Sequence, residues 1–216
     1  MRDRAVKTSP LTPAYQWDAR SQRYVNAVSK KFVSRDTVRQ ALDIALGRSQ
    51  TEVTRLSRAL VNGQINLATW QTGLAAEIKS MHLASAALAK GGWAQMTQSD
   101  FGSVGRRVRD EYAFLAKFAE QVKRGEQKLD GSLVSRANLY AQGPRGTFHA
   151  VQERAMSSAG YTECRNVLQS GDNCAGCIAE TAKGWTFVGN IKPIGTRTCL
   201  ANCRCRIEYR RGRALA

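Results

Sequence analysis

Five cysteines lie in two close groups in the last third of the chain: Cys174 and Cys177 in DNCAGC, then Cys199, Cys203 and Cys205 in CLANCRC. Two thiol groups separated by a loop are what a single tetrahedral zinc ion needs. A pair spaced by two residues lets one tight turn offer two sulfurs to one metal, and Gly176 suits such a turn. Five thiolates are one more than a tetrahedral site takes, so one of Cys199, Cys203 and Cys205 is expected to be spare. In a regular strand Cys203 and Cys205 would share a face about 6.6 Å apart. Two sulfurs on one zinc lie at most about 4.6 Å apart. A strand through Arg204 therefore favours Cys199 plus one of the pair, whereas a turn at Asn202-Cys203 allows the other combination. Cys164 stands outside the groups and reads as a packed thiol. Asp172 reads as a turn residue and no histidine stands at ligand spacing, so the expected Zn2+ site is closed and structural. A disulfide framework is the competing reading of six cysteines. The charged N-terminus is followed by no apolar run, so no export signal is read, and the expected compartment is a reducing cytosol, where disulfides are rare.

Catalytic motifs are missing. A zinc deaminase needs His-x-Glu ahead of Pro-Cys-x-x-Cys. Here Val151 follows His149 where the Glu should be, and Asn173 precedes Cys174. There is no P-loop, no Gly-x-Ser-x-Gly, no His-Glu-x-x-His and no βαβ pattern around the dithiol. His82 lies beside an apolar stripe and reads as a packed side chain. The chain is expected not to be an enzyme.

The elements that must position the cysteines follow from periodicity. Residues 1–33 read as a basic extended arm, with Pro10 and Pro13 opposing a helix and a short hairpin expected between 23–25 and 31–33. From Ser34 a helical period takes over. Val38, Leu42, Ala45, Val53, Leu56 and Leu60 form one stripe, broken at Gly47. Leu67, Trp70, Leu74, Ile78, Met81 and Leu88 form a second, with Ser85 among them, and Gly91-Gly92 ends it. Phe101, Val104, Val108, Tyr112, Leu115, Phe118 and Val122 form a third. Leu133, Leu139, Tyr140, Phe148, Val151 and Met156 form a fourth, with an interruption expected at Gly143-Pro144. Residues 34–159 thus read as a helical bundle or helical hairpins. Residues 160–216 read as a cysteine-rich β module with a basic tail, its strands near 161–168, 185–188 and 204–209, and Trp185 supplying apolar cover. The expected class is α+β, mainly α. No apolar stretch is long enough to span a bilayer.

Lys plus Arg number 33 against 17 Asp plus Glu, a net charge of +16, which points to an acidic or phosphate-rich partner. The charge gathers at the two ends. Arg204, Arg206, Arg210, Arg211 and Arg213 crowd the C-terminus. Arg2, Arg4, Lys7, Arg20, Arg23, Lys30, Lys31, Arg35 and Arg39 load the N-terminal segment. The C-terminal arginines are the expected nucleic-acid or partner contacts, with Tyr15, Trp17, Tyr24 and Tyr209 as candidates for stacking on bases. No recognition-helix signature is present, so any DNA contact is expected to be non-specific.

The string YTECRNVLQSGDNCAGC … GWTFVGNIKPIGTRTCLANCRCRIEYR resembles the C-terminal module of tailed-phage head morphogenesis proteins, the Mu F-like minor head proteins. Asp172, Cys174, Cys177, Asn202, Cys203, Arg204 and Cys205 fit that family's Asp-x-Cys-x-x-Cys pair and Asn-Cys-Arg-Cys box. INLATWQTGLAAEIKSMHLA and GGWAQMTQSDFG are similar to the region ahead of the module, so the likeness covers about residues 20–210, with only the cysteine module a specific motif. Where the family box begins His-Pro, this chain has Leu200-Ala201 preceded by Cys199, which leaves open whether Cys199 replaces the histidine. The resemblance implies a low-copy virion component built into the procapsid near the portal vertex, made in the host bacterial cytoplasm. It also implies contact with the portal protein, other head proteins and the packaged DNA, and no established catalysis. A cytosolic zinc-containing nucleic-acid-binding regulator is the alternative that the charge and the thiols also allow.

Overall fold

The computed structural model describes residues 15–18, 20–21, 23–169 and 171–212. It is α+β and mainly helical, and its chain divides into two compact units, Met1–Pro144 and Arg145–Ala216. The division falls inside the helical segment expected over 34–159, not at 160. The last turns of that segment pack with the cysteine-bearing part: a Cβ on Gly195 would meet the Gly146 Cα at 3.4 Å, and Met156 packs beside Cys164.

In the first unit, β1 (Tyr15–Asp18) and β2 (Arg23–Asn26) pair antiparallel, with Tyr15 opposite Asn26. The described part of the expected extended arm is therefore folded, and residues 1–14, with Arg2, Arg4 and Lys7, lie outside the described residues. The expected 23–25/31–33 pairing remains as a single Val25–Phe32 bridge, its turn held by the Asn26 side chain accepting from the Val28 and Ser29 amides. Strands of four polar-rich residues carry little signal of their own. What holds them is non-local: Tyr24 is buried and its hydroxyl donates to the Leu88 carbonyl, while Trp17 meets Tyr24 edge-on at 5.2 Å. Gly91, left-handed at φ 104°, ends the helix beneath Trp17, and a Cβ there would overlap the indole. Tyr24 is thus a core residue, and Trp17 a packing residue, not free stacking surfaces.

Three helices follow: α1 (Arg35–Val61), α2 (Leu67–Lys90) and α3 (Gln98–Lys123). Each begins on a side-chain cap from Ser34, Asn66 or Thr97. Thr97 and Asp100 form a reciprocal capping box, and Lys90 adds an ion pair to Asp100 at 3.0 Å. Their stripes, with the start of α4 (Gly131–Ser158), close over one core of Val53, Leu60, Trp70, Leu74, Ile78, Leu115, Phe118 and Leu133. Trp70 is fully buried; its indole donates to the Ser57 hydroxyl at 3.1 Å and meets Phe118 edge-on at 5.2 Å. Two stripe residues depart from expectation: Phe101 and Leu139 are exposed, Phe101 stacking on Trp93 instead.

Neither expected break occurs. α1 runs through Gly47, and α4 runs through Pro144. Proline removes one backbone donor and disfavours a helical conformation in the residue before it. That residue is Gly143, whose missing Cβ lessens the clash, and burial of Ala137, Ala141, Phe148 and Val151 on either side carries the helix across. Pro144 does mark the division between the two units.

Gly47, inside α1, and Gly91, at the end of α2, give opposite outcomes on substitution. Gly47→Ala meets nothing within 4 Å and removes backbone freedom from mid-helix, so the urea midpoint should rise by the equivalent of about 0.5–1 kcal/mol. Gly91→Ala should instead lower it by more than about 1 kcal/mol, since it strains a left-handed residue and displaces Trp17.

Candidate metal centre

The second unit contains β3 (Glu163–Val167), α5 (Ala175–Ala182), β4 (Thr186–Phe187), a 3-10 turn at Leu200–Asn202, and β5 (Arg206–Arg210). The strands form one antiparallel sheet in the order β4-β3-β5, with Cys164 opposite both Thr186 and Tyr209. Its inner face carries the buried Cys164, Asn166 and Tyr209 with the half-buried Ile207; its outer face carries Glu163, Arg165, Glu208 and Arg210. The three expected strands are present, each shorter than its apolar pattern.

Local structure sets the sulfurs. Cys174 is the N-cap of α5, and Cys177 sits in its first turn, its amide donating to the Cys174 carbonyl at 2.9 Å. The pair is therefore offered by a helix start and not by a tight turn. Gly176 matters for a different reason than expected: a Cβ there would lie 3.1 Å from the Thr198 hydroxyl, so its absence lets the segment before Cys199 come close. On the other side, Cys199 and Cys203 bracket the 3-10 turn, Leu200 takes φ 45°, and β5 begins only at Arg206. Cys203 and Cys205 thus lie outside a regular strand, which frees them from the 6.6 Å spacing that a strand imposes.

All five expected ligands come together, and Cys177 is their hub. The sulfurs of Cys174, Cys177 and Cys199 lie within 4.8 Å of one another, as do those of Cys177, Cys203 and Cys205. Cys177 Sγ stands 3.6 Å from Cys199 Sγ and 3.5 Å from Cys203 Sγ. Sulfurs bound to one tetrahedral zinc stand about 3.8 Å apart, so each triplet could hold an ion, and a four-thiolate site would need sulfurs of both triplets to draw closer around Cys177. All six cysteines are unpaired as disulfides, and Cys164 lies apart, packed with Ile191 and Tyr209 as expected of a buried thiol. Apolar cover over the cluster comes from Ile194, Leu168 and Ile207, not from Trp185. Trp185 lies half-exposed, with the Arg165 and Arg210 guanidiniums over its ring at 4.8 and 4.3 Å.

One residue decisive for the chemistry escaped the sequence reading. Arg197 is only 1% exposed. Its Nη1 donates to the Asn166 carbonyl oxygen at 2.8 Å and approaches Cys177 Sγ at 3.7 Å, and its Nε donates to the Lys192 carbonyl at 2.8 Å. Its Nη2 is buried without a hydrogen-bond partner. Glu180 adds an attractive charge, but that carboxylate is already held by Lys183 at 2.7 Å and by the Lys192 amide at 2.9 Å. A buried guanidinium needs negative charge beside it. Four thiolates on a divalent ion would carry a net charge of −2, half of which Arg197 would offset. No spacing rule points to an arginine two residues before a cysteine; only the tertiary contact reveals it. Asn166, also unflagged by sequence, joins the parts: its amide donates to the Cys177 carbonyl at 3.2 Å and to Thr181 at 2.7 Å while its oxygen receives Arg197.

The thiols are unequal. The Cys177 backbone N–H, with bonds from Cys199, brings the Cys174 thiol down to about 7. Burial pushes Cys177 up, with Arg197 opposing, and burial pushes Cys199 up to about 12. Without a cation, four or five adjacent thiolates are not sustained; a metal supplies the charge that lets them ionise together.

The expected partner-binding arginines lie on or beside the outer sheet face. Arg204 is exposed, Arg206 bonds Glu208 at 3.1 Å, and Arg210 bonds Glu163 at 2.5 Å. Arg211 donates to the Ala159 carbonyl and lies 5.5 Å over Tyr161. Arg213 lies outside the described residues. Tyr209, a stacking candidate in the sequence, is buried on the inner face and cannot meet a base. Among the described residues no helix is long and apolar enough to cross a membrane. No family profile, curated protein or solved structure matches the chain.

Protein purified with its metal should contain near one ion per chain by elemental analysis. Cys177→Ser should release it and unfold the second unit, while Cys164→Ser keeps it. Arg197→Gln preserves most of the volume but removes the charge, and metal affinity measured by chelator competition should fall roughly 10- to 100-fold. Because every ligand must lose a proton, retention of the ion should weaken as pH falls and recover as it rises.

Proposed function

We propose that this chain is a minor head protein of a tailed phage, a structural and assembly component of the capsid interior near the portal vertex, and not an enzyme. The observation that carries the reading is the meeting of two boxes. Asp172-x-Cys174-x-x-Cys177 and Asn202-Cys203-Arg204-Cys205, distant in sequence, deliver their thiols to one cluster around Cys177. That arrangement supports the resemblance to the Mu F-like proteins; Leu200-Ala201 stand where the family's box begins His-Pro, and Cys199, just before them, is the thiol offered in the histidine's place. The ion is zinc: an all-thiolate tetrahedral set favours it, and its closed shell suits a site that staples and does not react. The module has too little apolar surface to hold three short strands and an eight-residue helix alone, so the ion stands in for a core.

In this reading the basic charge docks the protein on acidic faces of the portal and other head proteins, and on packaged DNA without sequence preference. The +16 charge also supports the second reading, a cytosolic zinc-containing nucleic-acid-binding regulator. Location separates the two. Mass spectrometry of purified procapsids and virions should find this chain at low copy beside the portal protein; its absence from both sinks the head-protein reading and favours the regulator. Duplex DNA affinity should fall steeply between about 50 and 200 mM salt and vary little with sequence. Salt-insensitive binding or strong preference for one short site would overturn the docking role of the charge.

A further inference from the structure

The outer face of the C-terminal sheet combines two features that a simple electrostatic grip does not need. The first is a row of guanidiniums. Within β5, positions 206, 208 and 210 share the outer face, because Ile207 and Tyr209 lie on the inner one, and the exposed Arg204 stands just before the strand. The three positions carry Arg206, Glu208 and Arg210, and β3 adds Arg165 beside Glu208. Four guanidiniums thus face two carboxylates, Glu163 and Glu208. Both carboxylates are engaged: Glu208 by Arg165 at 2.8 Å and Arg206 at 3.1 Å, Glu163 by Arg210. The Trp185 ring beneath Arg165 and Arg210 fixes those two side chains, so little rotamer freedom remains to be lost on binding. Arg204 is exposed and has no carboxylate partner among the described residues.

The second feature is Phe187. It lies on β4, opposite Glu163 and two strands from Arg210, and it is 59% exposed. Two strand spacings place it about 10 Å across the face from the arginine row. An acidic protein strand would use the guanidiniums and leave this ring in water. A duplex would present phosphates, but its bases are stacked inside and offer the ring no face. A single strand offers both, and base–aromatic stacking next to a basic track is how such strands are held without sequence preference.

We propose that this face binds single-stranded nucleic acid, with the backbone along Arg204, Arg206 and Arg210 and a base stacked on Phe187. This rests on the nucleic-acid part of the function given above and narrows it to one surface and one strand state. The track is sequence-tolerant, since a phenyl ring stacks on any base.

The test uses the full, metal-loaded chain and fluorescence anisotropy with a labelled oligothymidylate of about 15 nucleotides and a duplex of the same length. Oligothymidylate should bind more tightly than duplex. Phe187→Ala should weaken oligothymidylate binding roughly tenfold and leave duplex binding unchanged. Phe187→Trp should restore it. Arg204→Ala should weaken both and reduce the salt slope by about one. Metal content and circular dichroism show whether each variant is folded, and Phe187→Trp guards against a folding artefact. Equal oligothymidylate affinity for Phe187→Ala and the parent overturns the proposal. So does tighter binding of duplex, or displacement of oligothymidylate by a polyglutamate peptide that binds more strongly. Duplex-only binding removes this proposal alone; loss of all nucleic-acid binding also removes the DNA contact above, and neither touches location in the virion.

Discussion

A guanidinium sealed beside a sulfur is the constraint on which the C-terminal unit depends. Arg197 is almost fully buried, bonds neutral oxygens of Asn166 and Lys192, and lies against Cys177, the sulfur that both thiol triplets share. Glu180 answers part of that charge, and thiolates gathered on a metal ion would answer more of it. Burial is deepest at Cys177, Cys203 and Cys205, where Arg197 approaches, whereas Cys174 and Cys199 are partly exposed.

Geometry around that centre is assembled from pieces too small to be stable singly. A helix start presents Cys174 and Cys177, a 3-10 turn presents Cys199 and Cys203, and Cys205 leads into the edge strand β5. Asn166, on the inner face of the middle strand, bonds both α5 and Arg197 and so ties the helix, the sheet and the charge into one network. An ion held by these thiols would couple its own binding to the order of the sheet whose outer face carries the arginines and Phe187.

The first unit works by different physics. Its helices are joined through an apolar core around Trp70 and Phe118, capped at each start, and extended by a strand pair whose anchor is one tyrosine hydroxyl on a helix carbonyl. Among its described residues no group of metal-ligating side chains gathers. Apolar burial of this extent carries a helical fold by itself.

Much of this was legible beforehand, for a physical reason. Helical stripes are local patterns, so Trp70, Leu74, Ile78, Leu115 and Phe118 announce their burial through spacing alone, and cysteines at metal-ligand intervals announce their chemistry through type. The resemblance to phage head proteins rests on the residue types and intervals of the two boxes and carries the proposal above, no more. Other features had no local signal. Pro144 reads as a break because local sterics say so, and only packing on both sides overrides them. Phe101 and Leu139 fit their stripes yet lie outside, since a stripe is wider than the contact it serves. Tyr24 and Tyr209 look like free aromatics among charges until their burial is seen. Residue type and interval by themselves determined that thiols would gather and that helices would form. The tertiary fold alone decided that Cys177 is the hub, that Arg197 faces it and that Phe187 is left bare. Those facts depend on which distant segments meet, and no interval along a chain encodes a contact made across it.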